Sequence, residues 1–144
     1  MMQPNAPYTV NTYPYTDRYT ALECLEHLAD VGFSSFEMML IPGHFWPSTS
    51  TAAERKAVGR LLEARKIRIE TLNQPNLDLN LAVTPECRDY SCGVVASALE
   101  LAADWGAFGV VVNPGKSNPV FPTSIDKLTD GFRYSLDILV RRAV

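Results

Sequence analysis

Hydrophobic and polar positions follow two periods along the chain, one typical of strands and one typical of helices. Short apolar or alternating runs predict four strands, at residues 9–15, 35–40, 66–73 and 109–115. Longer stretches with apolar residues three and four apart predict four helices, at residues 19–31, 52–64, 85–105 and from 125 almost to the last residue. The last strand, "GVVVNPG", is continuously apolar, which predicts burial on both of its faces.

Local signals at the helix ends support this division. Thr20 and Glu23 stand three residues apart, as in a capping box, and Gly32 provides a helix stop. Thr51 and Glu54 repeat the capping-box spacing before the second helix. These spacings support a helix start close to each of the two threonines.

The strands and helices alternate four times, which predicts an α/β fold with parallel strands joined by right-handed crossovers. In such folds the ligand site forms outside the carboxyl ends of the strands. The loops that follow the strands should therefore share one edge of the sheet. These loops are residues 11–15, 42–46, 73–76 and 113–118.

Composition places the chain among ordinary globular domains. The 144 residues are 47% hydrophobic and 20% charged, enough for one core, and we expect one domain at 9–144 after a flexible segment at 1–8. A net charge of -3 without a basic block argues against nucleic acid as a partner. No apolar run approaches the roughly 18 residues that span a bilayer, so a cytoplasmic protein without membrane contact is expected.

Glu37 is a carboxylate in the middle of the apolar run "SSFEMML". A carboxylate in such surroundings needs a partner. Either it belongs to a binding site, or it makes a structural hydrogen bond or ion pair. On the first strand, alternation would place Asn11 and Tyr13 on one face.

The turn "PGHFW" after this run presents His44 and Trp46. The imidazole of His44 could bind a metal or a hydroxyl, or it could simply bond a neighbouring carbonyl. The indole of Trp46 could form a wall of a pocket.

Three further polar residues follow strands. Asn73 and Asn113 could bond the hydroxyls of a polyol, although asparagine is also an ordinary turn former. Lys116 could attract a phosphate or carboxylate, or it could be a solvated loop lysine. The sequence has no His, Asp and Glu cluster with metal spacing and no complete catalytic set, so no catalytic residue and no metal ligand is predicted.

Three stretches, "GFSSFEMMLIPGHFWP", "LLEARKIRIETLNQPNLDLNLA" and "LELAADWGAFGVVVNPGKSNPVFP", carry a resemblance. From about Thr9 onward the chain resembles the first half of the sugar phosphate isomerase/epimerase family, the xylose-isomerase-like TIM barrels. The resemblance implies four strand-helix units of a (β/α)₈ barrel, a partial or half barrel. Its "GF...E" pattern also occurs in the related endonuclease IV branch.

The resemblance also implies a chemistry. Active relatives remove a proton from the carbon beside a metal-polarised carbonyl of a sugar or sugar phosphate, with Mn, Mg or Zn held by the last four strands. That part is absent from these 144 residues, so no metal is expected to bind tightly to this chain alone. The implied sugar-contacting residues are those at the strand ends: Asn11, Tyr13, Glu37, His44, Trp46, Asn73, Asn113 and Lys116.

A complete barrel needs roughly 250 residues, so a truncated product, a partial gene model or a half barrel that pairs with another chain is expected. Four strands would leave two unpaired sheet edges and an apolar inner face, which favours a homo-oligomer or a missing C-terminal half. The lone chain is expected to have no turnover. The alternatives are a non-enzymatic half barrel that dimerises or binds a partner, and a nuclease fragment of the endonuclease IV type.

Overall fold

The computed structural model describes residues 8–75, 84–117, 119–120 and 122–143. Most of the segment predicted to be flexible, residues 1–7, lies outside these ranges. So do Asn76 and Asn118, the last residues of two predicted loops.

Four strands alternate with four long helices. The strands are β1 (Val10–Asn11), β2 (Ser35–Met39), β3 (Arg68–Gln74) and β4 (Gly109–Val112). The helices are α1 (Ala21–Val31), α2 (Ala52–Arg65), α3 (Pro85–Trp105) and α4 (Ile125–Ala143). The second, third and fourth helices begin where the hydrophobic pattern predicts.

The four strands form one parallel sheet in the order β1-β2-β3-β4. Each strand is followed by a helix, so the chain consists of four parallel strand-helix units. The predicted α/β class and the predicted half of a TIM barrel are both confirmed.

Helix ends are fixed by the residues that the sequence indicates. The side chains of Thr20 and Thr51 each accept the backbone N–H three residues ahead, and Glu23 and Glu54 return the bond to complete a capping box. Gly32 ends α1 in the left-handed region, at a φ of +108°. The chain therefore leaves α1 at Gly32 and turns back toward the sheet there.

The core lies between the sheet and the helices. One face of the sheet buries Phe36, Met38 and Leu72 completely. Leu25 from α1, Leu101 from α3 and other apolar helix residues pack against this face. Because side chains alternate along a strand, the residues between these core positions point to the opposite, inner face.

The inner face is polar, so the prediction of an apolar inner face is wrong. Side chains from the first three strands hydrogen-bond one another across it. They are Thr9, Asn11, Ser35, Glu37, Glu70, Thr71 and Asn73. Most apolar residues of β2 and β3 instead pack on the helix-covered face. Met39 is an exception, since it alternates with Met38 and shares the inner face with Glu37.

Two strand predictions also need correction. The first strand ends at Asn11, because Pro14 helps to close a 3-10 turn over Tyr13–Tyr15 where continued extension was predicted. The last strand is not buried on both faces: β4 lies at the edge of the sheet, and Val111 is 41% exposed. A continuous apolar run does not reveal whether a neighbouring strand will cover it.

No helix in the described ranges combines the length and apolar character needed to cross a bilayer.

Candidate functional site

Glu37 lies at the centre of a hydrogen-bond network that joins three strands. The side-chain amide of Asn11 on β1 donates to Oε1 of Glu37. From β3, the amide of Asn73 donates to the same oxygen at 3.1 Å, and the hydroxyl of Thr71 donates to Oε2 at 3.0 Å. We call these four side chains the Glu37 network.

The register of the sheet brings these residues together. Asn11 stands opposite Glu37, and Thr71 stands opposite Glu37 on the other side. The pairing of β2 with β3 shifts by one residue between Phe36 and Glu37, so that Glu70 has no opposite residue. This bulge lets Glu70 and Thr71, neighbours in sequence, both bond to inner-face side chains of β2.

A second polar group lies nearer the amino ends of the strands. Ser35 donates to Glu70 at 3.0 Å and contacts the hydroxyl of Thr9 at the same distance. Arg68 pairs with Glu70, and this pairing lowers the pKa of the Glu70 carboxyl. Two carboxylates thus occupy the inner face at different heights, each with its own partners.

The hydrogen-bond partners of Glu37 orient its carboxylate but do not occupy all of its acceptor positions. A carboxylate offers about four acceptor positions. Neutral donors occupy three of them: two on Oε1 and one on Oε2. The remaining position on Oε2 has no donor among the described residues.

Tyr13 does not share a strand face with Asn11, contrary to prediction. It begins the 3-10 turn after β1, where its ring is largely exposed. Its backbone N–H donates to Oδ1 of Asn11 at 2.7 Å. The turn therefore orients the Asn11 amide, which in turn contacts Glu37.

His44 adopts the second arrangement that the sequence left open, a bond to a nearby carbonyl. Its Nδ1 lies 2.7 Å from the carbonyl oxygen of Tyr19, and the residue is 4% exposed. No described residue bonds its Nε2. Burial lowers the pKa of His44, and the bond to Tyr19 offsets part of that effect.

Trp46 and His44 line a pocket of about 300 Å³ between the first turns of α1 and α2. Thr20 from α1 and Glu54 from α2 contribute to its walls. The predicted role of Trp46 as a pocket wall agrees with this position. The pocket lies between helices, whereas the Glu37 network lies on the inner face of the sheet.

The loop after β4 holds the last two predicted residues. Asn113 and Lys116 are both exposed, and Lys116 lines a shallow cleft against the first turns of α4. Gly115, at a φ of +98°, turns the loop back toward that helix. The side chains that donate to Glu37 come from β1 and β3 instead.

The structure thus brings three predicted residues together, Asn11, Glu37 and Asn73. It adds Thr71, which the sequence reasoning missed. The sequence did contain a signal for Thr71. Thr71 and Asn73 are two residues apart on a predicted strand, so they share a face unless a bulge intervenes. Recognising the contact with Glu37 required the register between β2 and β3.

Comparisons with solved structures identify the fold. The chain superimposes on a D-tagatose 3-epimerase-like protein with a TM-score of 0.72 and 20% identity, over 94% of this chain and 49% of that one. It superimposes on the 3-keto-D-glucoside 4-epimerase of E. coli with a TM-score of 0.71 and 18% identity, over 94% and 51%. A xylose isomerase domain protein from Planctomyces limnophilus gives 0.60 and 13%, over 87% and 50%.

The chain has the fold of half a xylose-isomerase-like barrel. It spans about half the length of the solved structures that it matches. The sequence itself matches no protein-family model and no curated protein. The resemblance seen in the sequence is therefore confirmed at the level of the fold.

The family resemblance implies a metal in active relatives. Among the described residues, no three His, Cys, Asp or Glu side chains lie close enough together to hold an ion. Glu37 is surrounded by amides and a hydroxyl instead. The residues around Glu37 therefore do not fit a metal centre.

Proposed function

We propose that this chain is the sugar-binding first half of an isomerase/epimerase-like barrel, with Glu37 as the central contact to the substrate. The observation that carries this function is the Glu37 network: one carboxylate on the inner face, held by side chains from the two neighbouring strands. In a closed barrel, the inner face at the carboxyl ends of the strands adjoins the site of reaction.

The chemistry of the network suits a polyol. Each sugar hydroxyl can both donate and accept a hydrogen bond. The open acceptor position on Oε2 of Glu37 would take a hydroxyl proton in a charge-assisted bond, which is stronger than a bond between neutral groups. Asn11 and Asn73 keep the carboxylate in place and present further amide atoms along the same surface.

Ketohexoses are the substrate class that the structural relatives favour. One matched protein is D-tagatose 3-epimerase-like, and another is a D-allulose 3-epimerase from Methylomonas sp., with a TM-score of 0.59 and 11% identity over 94% of this chain and 48% of that one. Both sugars are ketohexoses. The exposed loop residues Tyr13, Asn113 and Lys116 would form the outer rim of the site. His44 and Trp46 line the separate pocket between α1 and α2. Lys116 would be suited to the phosphate of a phosphorylated sugar.

In this proposal the divalent metal and the proton-transferring groups belong to the other half of the barrel. The residues of this chain bind and orient the sugar. Glu37 accepts a hydroxyl proton in a hydrogen bond, and the amides hold Glu37 in position. The lone chain therefore binds substrate weakly and does not turn it over.

Binding of D-tagatose and D-allulose to the 144-residue chain is the first test, measured by saturation-transfer NMR and calorimetry. We expect weak binding of at least one sugar, reduced about tenfold by Glu37→Gln, because a charge-assisted bond is replaced by a neutral one. Glu70→Gln is the matched control, since it makes the same change elsewhere on the inner face. Binding that is absent, or that both variants weaken equally, contradicts the proposed role.

Turnover is measured separately with Mn²⁺, Mg²⁺ or Zn²⁺ added to the purified chain. We expect no isomerisation or epimerisation of either sugar above the blank. Activity above the blank would show that this half carries the reacting groups itself. The proposal that the metal and the proton-transferring groups belong to the other half would then be wrong.

A further inference from the structure

Thr12 lies at the junction between the first strand and the 3-10 turn. Asn11, the last residue of β1, precedes it, and Tyr13, the first residue of the turn, follows it. Thr12 is fully buried, with 0% of the residue exposed. A buried hydroxyl in a folded protein normally has a hydrogen-bond partner. Among the described residues, the partners of Thr12 lie on β2 and in the turn itself.

The hydroxyl of Thr12 takes the place of a backbone carbonyl in the pairing of β1 with β2. The backbone N–H of Thr12 donates to the carbonyl of Glu37 at 3.0 Å, as in a regular parallel pair. In a regular pair the carbonyl of Thr12 would accept the next bond, from the N–H of Met39. Here the side-chain hydroxyl accepts that bond, also at 3.0 Å. The pairing of β2 therefore continues past Asn11, although β1 has ended.

This exchange leaves the carbonyl of Thr12 free to close the turn. The carbonyl accepts the N–H of Tyr15 at 3.0 Å, and the turn places the N–H of Tyr13 2.7 Å from Oδ1 of Asn11. Without the hydroxyl, the N–H of Met39 would need another acceptor. Because a buried N–H without a partner is costly, the carbonyl of Thr12 would be drawn back to β2 and the turn would open.

The orientation of the Asn11 amide depends on this turn. Its oxygen accepts from the N–H of Tyr13, while its nitrogen donates to Oε1 of Glu37. Because an amide carries one acceptor and one donor group, these two bonds fix which way it faces. If the turn opens, the amide is able to rotate, and Oε1 of Glu37 keeps only the bond from Asn73. The carboxylate is then held mainly from β3.

We propose that Thr12 is a positioning residue of the sugar site, which acts through Asn11 on the carboxylate of Glu37. Its hydroxyl keeps the turn closed and the turn orients Asn11, while its burial keeps Thr12 from touching a sugar itself. This inference rests on the proposed function. It adds a residue that lies behind the Glu37 network.

Substitution of Thr12 tests the role of its hydroxyl. Thr12→Val keeps nearly the same shape and cannot accept a hydrogen bond, so D-tagatose and D-allulose should bind about threefold to tenfold more weakly. Thr12→Ser keeps the hydroxyl and should bind within about twofold of the wild type. Val58→Ala is the control, because Val58 lies in the core on α2: this variant should lose stability and keep its sugar affinity.

A double-mutant cycle tests whether Thr12 acts through Asn11. Asn11→Ala alone should weaken sugar binding at least as much as Thr12→Val. Thr12→Val added to Asn11→Ala should change the affinity by less than about twofold, because the amide that Thr12 positions is gone. A further loss as large as that of Thr12→Val alone overturns the route through Asn11.

The side-chain amide of Asn11 gives a second measurement that needs no sugar. In NMR spectra of isotope-labelled protein, its two N–H signals should be well separated, since one of them is held by a carboxylate. Thr12→Val should bring the two signals together and speed their exchange with water, whereas Thr12→Ser and Val58→Ala should not. Unchanged signals in Thr12→Val overturn the proposal. So does their collapse in Thr12→Ser, a result that is decisive even if Thr12→Val does not fold.

These measurements separate the inference from the proposed function. If the wild type binds sugar, and Glu37→Gln weakens this binding but Thr12→Val does not, the role of Thr12 is wrong and the sugar site stands. If the wild type binds neither sugar while Thr12→Val still collapses the Asn11 signals, Thr12 positions Asn11 and the proposed function is wrong.

Discussion

At the scale of single residues, Glu37 and His44 show how similar sequence signals lead to different surroundings. Both are polar residues next to apolar runs. Glu37 collects side-chain donors from two neighbouring strands, while His44 bonds a backbone carbonyl beside α1. The strand position of Glu37 guarantees close neighbours on both sides, whereas the surroundings of a loop residue depend on how the loop folds.

His44 predicts a pH dependence of stability. Its pKa is lowered in the native state, whereas in the unfolded chain it is about 6.5. Below that pH the unfolded state binds more protons, so the free energy of unfolding falls as the pH drops from about 6.5 toward the lowered pKa. Above about pH 7.5 His44 is neutral in both states, so the free energy of unfolding no longer depends on its protonation.

Urea unfolding at a series of pH values measures this effect. His44→Asn can still donate to the Tyr19 carbonyl but cannot titrate, so it should remove this part of the pH dependence. His27→Asn is the control, because His27 is exposed and stacks on Tyr19. If both variants change the pH dependence of the free energy of unfolding equally, groups other than His44 cause that dependence.

At the scale of elements, local chemistry decides the helix boundaries, and the capping boxes at Thr20 and Thr51 form as their spacing predicts. The short strands β1 and β4 were predicted less well. Their ends are set by a proline turn and by the position of β4 at the sheet edge. Strand burial is decided by neighbours that are distant in sequence.

Two glycines give opposite predictions for the same substitution. Gly32→Ala should destabilise the protein by about 1 kcal/mol or more, because φ is +108° there. Gly93→Ala in the middle of α3 should stabilise it by about 0.5–1 kcal/mol. A Cβ at either position meets no atom within 4 Å, so the effects report the backbone alone. Chemical denaturation measures both, and effects of the same sign would contradict this account.

At the scale of the whole molecule, the proposed sugar site predicts that ligand stabilises the native fold. A ligand that binds the native state and not the unfolded chain raises the free energy of unfolding by mass action. D-tagatose or D-allulose should therefore raise the Tm of the wild-type chain, and should raise that of Glu37→Gln by less. Calorimetry over a range of sugar concentrations measures this, and equal shifts in the two proteins would argue against the proposed contact.

The candidate site was only partly predictable. Asn11, Glu37 and Asn73 were found because polar residues stood out within or just after predicted strands. Thr71 was missed, because its contact depends on the bulge that shifts β3 by one residue against β2. Tyr13 was placed on the wrong element, because a strand-like composition continued into a turn.

Periodicity and capping act over a few residues, so the amino-acid pattern alone was enough to predict the alternation of strands and helices and the parallel sheet. The half-barrel expectation came from the resemblance to xylose-isomerase-like barrels. Three features emerged only in the folded molecule: which face of the sheet is polar, which side chains meet at Glu37, and where apolar surface stays exposed. Those features depend on register and on the neighbours of each strand, which lie 26 to 36 residues away in the Glu37 network.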